Sequence, residues 1–328
     1  MARMRLIAGS GRSGTTWVQD ALATANRLRP IFEPLHPAIS PIGEQYAFRA
    51  LCPDESHPEL CRFLEEVCFG RRHVLWTRYR RQRRWLFPPR ERFSTFSDVS
   101  RFYRNWKMFL KDVPWLTAMA RGRVPIVKCI RANLMLGWLS RHFECSAVLL
   151  VRHPGAVIES KMHGFWNVPA VLEGFRRDPR FHELTGGRYR SLLDRDPTGV
   201  GGMAALWVIE NQYAIEHAAI DGVTVAFYER LTSNPDLEWQ RICGALSLSK
   251  VPPPNVIARP SQQSSKSFSA SEGVAAELPR WMRSLSPQQR GEIQSVLDQV
   301  GFGLYKMCDP EPQLAALPHS HARLAGIA

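Results

Sequence analysis

No stretch of the 328 residues approaches the roughly 18–20 consecutive apolar residues that a membrane-spanning helix needs. No secretory leader is expected either, because Arg3 and Arg5 flank only a few apolar residues before Gly9 opens a polar loop, so the expected location is cytoplasmic. The seven cysteines form no C-x-x-C pair, which leaves neither zinc spacing nor an even disulfide framework and suits reduced thiols. No cluster of His, Cys and carboxylates recurs at metal-ligand spacing, and no internal repeat is present. Acidic residues are also scarce: 43 Lys and Arg stand against 30 Asp and Glu, a net charge of +13. That surplus points to anionic partners, whether nucleic acid, an acidic membrane, an acidic saccharide or a small polyanion, and charge alone does not choose among them.

What is present is an ordinary globular composition, 45% hydrophobic, enough for a sizeable core. Residues 4–8 are a short apolar run ending in a glycine loop, and Trp17, Val18, Ala21, Leu22 and Ala25 follow at helical spacing. Further strands are expected at 125–130, 146–151 and 223–228, with helices at 134–142, 155–162, 203–219, 236–246 and 287–300. Ser286-Pro287 is a helix-start signal and Gly301 a stop. Alternating strands and helices predict an α/β fold, a P-loop-like central parallel sheet with helices on both faces. Residues 38–120, rich in Arg, Trp, Phe and Pro with patchy helical periodicity, break the alternation as an insertion. One catalytic domain over 1–308 is expected, followed by a tail, 309–328, without a convincing pattern.

The run Gly9-Ser-Gly-Arg-Ser-Gly14-Thr15-Thr16 has the G-x-x-x-x-G spacing of a phosphate loop between strand and helix. Small residues let backbone N–H groups close on phosphate oxygens, and the helix N-terminus adds partial positive charge. A nucleotide triphosphatase or kinase would place Lys directly after the last Gly, where this chain has Thr15; its cation lies inside the loop, at Arg12. A glycine turn without chemistry is the plain alternative. A second cation, Arg152, closes a strand, with Ser160 on the helix that follows. Open α/β sheets bind ligands at such strand ends, and a phosphate between these residues would receive a guanidinium fork and a hydroxyl.

The segment Gly11-Arg12-Ser13-Gly14-Thr15-Thr16-Trp17 resembles the 5′-phosphosulfate loop of sulfotransferases that use 3′-phosphoadenosine 5′-phosphosulfate (PAPS), its Arg form being similar to carbohydrate-type and bacterial members. Leu149-Leu-Val-Arg152 followed by Ser160 resembles the family's second landmark, and 223–231, with Tyr228, its strand before a Tyr-Glu-Asp-Leu-like turn, although Arg230 replaces the acidic residue. The resemblance implies sulfuryl transfer to an acceptor hydroxyl, with PAPS as donor, PAP as product and no metal required. It implies that Gly11 to Trp17 hold the 5′ end and that Tyr228 or Trp17 lies near the adenine; for either aromatic, core packing is the commoner fate. Arg259, Ser261 and Lys266, in a Pro- and Ser-rich loop, resemble the segment closing over the 3′-phosphate, but depart from the Arg-Lys-Gly form of cytosolic members. A solvated polar loop is the alternative.

Sulfuryl transfer, like phosphoryl transfer, needs positioning, neutralisation of charge and removal of a proton. Arg12 is the expected stabiliser of the leaving oxygen. Glu33, and after it His36, occupy a position resembling that of the family's catalytic base, with a surface ion pair and a turn cap as the plainer roles. Between positions 71 and 92, nine Arg and one Glu interleave with Trp76, Tyr79, Trp85 and Phe87. This composition suits an anionic, ring-bearing acceptor such as a saccharide or lipid headgroup, and equally a peripheral membrane contact or a solvated basic face. Binding to nucleic acid would use the same residues, but no recognition module supports it.

Overall fold

Alternate residues of β1 (Arg3–Gly9) face opposite sides of the sheet: Met4, Leu6 and Ala8 join one apolar cluster and Ile7 another. The same alternation runs along β4 (Glu144–Val151), with Ala147, Leu149 and Val151 on the first side and Val148 and Leu150 on the second. Both sides of each strand are therefore apolar, as expected for a parallel sheet buried between helices. The computed structural model describes residues 3–37, 41–69, 123–164, 166–259 and 280–317. The basic run at 71–92, with most of the 38–120 segment, and Ser261 and Lys266 lie outside the described residues.

With β2 (Arg29–Phe32), β3 (Pro125–Cys129) and β5 (Val223–Phe227), the strands form a five-stranded parallel sheet in the order β2-β3-β1-β4-β5. Helices α1 (Thr15–Asn26), α2 (Pro41–Tyr46), α3 (Pro58–Cys68), α4 (Leu136–His142), α5 (Pro154–Met162), α6 (Val168–Arg177), α7 (Pro179–Leu184), α8 (Gly199–His217), α9 (Pro235–Ala245), α10 (Arg280–Ser284) and α11 (Pro287–Gln299) cover it. Trp17, Val18 and Leu22 of α1 and Trp239 and Ile242 of α9 pack on one face, while α3, α5, α8 and α11 contribute to the cluster on the other. The expected α/β architecture with helices on both faces is what the chain adopts.

Chain order makes the site. From β1 the chain passes to α1 on one face; from the adjacent β4 it passes to α5 on the other. The connections that leave the carboxyl ends of β1 and β4 thus go to opposite faces, the switch point at which open α/β sheets bind ligands.

The strand β2 is absent from the sequence-based expectation because Pro30 interrupts it. It is tolerated because β2 is an edge strand: the N–H groups of Arg29 and Glu33 donate to Val124 and Lys128 of the β3 side, while position 30 falls in the opposite phase. At the other end of the chain, the capping box between Ser286 and Gln289 forms, and Gly301 takes φ 65° past the end of α11. Among the described residues after Asp309, Leu317 is buried in the main core.

Candidate anion-binding active site

The loop after β1 is shaped by two glycines that admit no side chain. At Gly14, φ is 89° and a Cβ would lie 2.6 Å from the Tyr228 ring; at Gly11 it would lie 2.4 Å from the Trp166 ring. Ser13 N–H donates to Ser10 O and the two hydroxyls are 2.7 Å apart, closing the turn. The N–H of Gly9 donates to Asn133 Oδ1, whose amide donates in turn to Glu210 O on α8. No side chain caps the start of α1, so its first N–H groups face the loop with the helix dipole behind them.

Two guanidinium groups converge here. Arg12, itself at φ 75°, donates from Nε to Ser160 Oγ at 2.8 Å, and Arg152 donates from Nη1 to Arg12 O at 3.3 Å while lying over the Tyr228 ring, 4.1 Å from its centroid. Burial, and then the like charge of Arg152, lower the proton affinity of Arg12, with Glu159 opposing. Two partly buried cations that repel each other beside an uncapped helix start form a site complementary to an anion. Of the residues singled out in the sequence, the loop Gly11–Thr16, Arg152 and Ser160 are brought together.

Trp17 and Tyr228 sit differently from open stacking platforms. Trp17 is 7% exposed, its N–H donates to Ile257 O, and its ring packs against Tyr228 and Trp239. Tyr228 carries Arg152 on its ring. Both aromatics hold the loop and its cation from within the core. Arg259 is exposed at the end of the described segment.

Glu33 lies at the carboxyl end of β2, 2% exposed and at φ 48°. Lys128 Nζ and Arg131 Nη1 each donate to it at 2.6 Å, and Ile130 N–H adds a third donor. Burial alone would raise its proton affinity, but Lys128, Arg131 and these hydrogen bonds outweigh it and hold the carboxyl below its ordinary range. Glu33 is therefore a carboxylate with both oxygens engaged, a weak proton acceptor as it stands. His36 follows on the same turn, partly exposed, its N–H donating to Glu33 O.

Sequence reasoning missed Lys128, Arg131, Asn133 and Trp166. Lys128 had a usable signal: a charged residue inside the apolar run of β3 is buried only when paired. Arg131 Nε is buried without a hydrogen-bond partner among the described residues. Lys161 and Glu210 form a second buried pair, 3.6 Å apart, with Lys161 also 5.2 Å from the Trp166 ring. No group of His, Cys and carboxylates able to hold a metal occurs among the described residues, nor does a helix long and apolar enough to cross a membrane.

No family model matches the chain, and no curated protein matches it. Among solved structures it is similar to a "Sulfotransferase Domain from the Curacin Biosynthetic Pathway", at 15% identity over 92% of this chain and 98% of that one, with a TM-score of 0.44. It is also similar to a "Sulfotransferase Domain from the Synechococcus PCC 7002 Olefin Synthase", at 16% identity over 99% of this chain and 94% of that one, with a TM-score of 0.38. Likenesses so loose carry no weight for function, which rests on the chain's own site.

Proposed function

We propose that this chain is a sulfotransferase that moves the sulfuryl group of PAPS to the hydroxyl of an acceptor, a carbohydrate, glycolipid or related metabolite. The observation that carries the reading is the convergence of Arg12, Arg152 and Ser160 on an uncapped helix start behind a glycine-shaped loop. A nucleotide bearing both a phosphosulfate and a separate phosphate fits two mutually repelling cations better than one phosphate does, and the absence of Lys after Gly14 disfavours triphosphate chemistry.

In this reading the loop amides and the Thr15 and Thr16 hydroxyls hold the 5′-phosphate, and Arg152 with Ser160 holds the 3′-phosphate. When bound, PAPS supplies an activated sulfuryl group. Arg12 neutralises charge on the oxygen from which that group departs as its S–O bond breaks and the acceptor's O–S bond forms. The acceptor proton passes to a base. The clamp on Glu33 favours giving it the task of orienting Lys128 and Arg131 toward the transferring group, with His36 as proton acceptor; an unclamped Glu33 would take the proton instead. The acceptor side is proposed to lie over the β2 and β3 ends, beside the 38–120 insertion. A cytoplasmic location and a single catalytic unit over 1–308 belong to the same proposal.

The test is turnover of PAPS on a panel of hydroxyl acceptors, with Arg12→Ala and His36→Ala compared. Arg12→Ala is expected to lower kcat by about 10²–10³ while retaining most PAP affinity. Equal kcat in both variants and wild type would remove the assigned roles.

A further inference from the structure

Behind Arg152 lies a buried carboxylate that the proposed chemistry does not use. Glu229 is 1% exposed and directly follows Tyr228. Its Oε1 accepts the backbone N–H of His153 at 2.8 Å, and its Oε2 accepts the hydroxyl of Tyr305 at 2.9 Å. One carboxylate thus joins the end of β4 just past Arg152, the end of β5 that carries the ring under Arg152, and the C-terminal segment. The surroundings reinforce the join: Tyr228 N–H donates to Val151 O, Trp207 Nε1 donates to Arg152 O, and the His153 ring stacks on Trp281 with centroids 4.1 Å apart.

We propose that Glu229 is a positioning residue for the anion site: it fixes the ends of β4 and β5 so that Arg152 stays over Tyr228 and faces the loop. The inference rests on the donor-site reading above and adds a regulation to it, because Glu229 accepts at both oxygens and attracts Arg152 only while ionised. A protonated Glu229 would donate its O–H to the Tyr305 hydroxyl, reversing that bond, and would lose the negative charge that attracts Arg152.

The groups around Glu229 among the described residues are Arg152 and His153 at the end of β4 and Tyr305 in the C-terminal segment, with Asp309 near His153 and Glu311 near Tyr305. Burial, partly offset by the hydrogen bonds and by Arg152, raises the Glu229 carboxyl to about 7. Burial pushes the His153 imidazole down to about 3, and burial with the neighbouring carboxylate drives Tyr305 far up, so both stay neutral around pH 7. Burial, and then Asp309, raise Glu311 while Arg230 opposes, and the charge of Glu311 adds to the rise at Tyr305. Among the groups in direct contact, Glu229 is the one expected to change charge near neutrality. Anion affinity should then rise with pH through that range.

The experiment is calorimetric titration of wild type, Glu229→Gln, Arg152→Ala and the double variant with PAP and with inorganic pyrophosphate, from pH 5.5 to 8.5. The ligand's own ionisation is common to all variants and cancels in their ratio. Glu229→Gln is expected to weaken binding about tenfold at pH 8.5, little at pH 5.5, and not at all in the Arg152→Ala background. A loss that is constant with pH, or additive with Arg152→Ala, would overturn the proposal. Should Glu229→Gln not fold, Tyr305→Phe keeps the carboxylate and removes one donor; the midpoint of its pH profile should move up, and an unmoved midpoint rejects the idea. Wild type binding pyrophosphate but not PAP would reject the donor assignment while still deciding the role of Glu229; binding of neither rejects both.

Discussion

Two carboxylates sit at opposite edges of one sheet, equally buried and electrically opposite. Glu33, at the β2 edge, has Lys128 and Arg131 at 2.6 Å each, and these cations keep it ionised. Glu229, just past the β5 edge, accepts from a peptide N–H and a phenol instead, and burial lifts it to about 7. Burial raises both carboxyls, and the charge of their partners decides whether that is overridden. A cation-clamped carboxylate is a fixed part of the scaffold, whereas one held by neutral donors responds to pH.

The contrast breaks most visibly at Glu33. Replacing it with Gln leaves buried Lys128 and partly buried Arg131 without a counter-charge, and unfolding free energy in urea at pH 7 should fall by about 3–5 kcal/mol. A loss below about 1 kcal/mol would place that ion pair with the weak, solvated kind.

The pH dependence sharpens the comparison next. Glu33, held below its usual range, contributes stability that is present above its unfolded value and lost as pH falls through the folded one. Glu229, raised from 4.5 to about 7, has the opposite sign: its contribution is full below 4.5 and is lost as pH rises through about 7. That loss is at most roughly 3 kcal/mol. Urea unfolding between pH 5 and 8 should therefore be flatter in Glu229→Gln than in wild type, and an unchanged slope would contradict the titration.

Smaller effects separate the loop from the edges. Gly14→Ala forces a Cβ to within 2.6 Å of the Tyr228 ring at φ 89°, so about 1–3 kcal/mol of strain is expected together with weaker PAP binding. Normal PAP affinity in that variant would detach the loop from the site. Tyr305→Phe, removing one donor from Glu229, should cost only about 1 kcal/mol; a loss matching that of Glu33→Gln would erase the distinction between neutral and charged clamps.

Much of this arrangement was legible in the sequence. Strands β1, β3, β4 and β5 and the helices after them were expected within a few residues, because both-face apolar runs and 3.6-residue spacing are local signals. Arg12, Arg152 and Ser160 were singled out by their spacing after strand ends, and the fold brings them together. Strand β2 was hidden by Pro30, whose acceptability depends on the strand's being at an edge, a tertiary fact. The clamp on Glu33 was hidden for a similar reason: Lys128 and Arg131 are 95 and 98 residues away in the chain and meet Glu33 only through β2–β3 pairing. Trp17 and Tyr228 were candidates to lie near a base, with core packing the commoner fate, and the second holds: both are buried beneath the loop.

The measurement that bears most directly on the central claim is calorimetric titration of wild type and Arg152→Ala with PAP and with Mg²⁺–ATP at fixed ionic strength. The account predicts one PAP site that is strongly weakened in Arg152→Ala, with no comparable ATP binding; ATP binding without PAP binding would contradict it and assign the loop to another nucleotide chemistry.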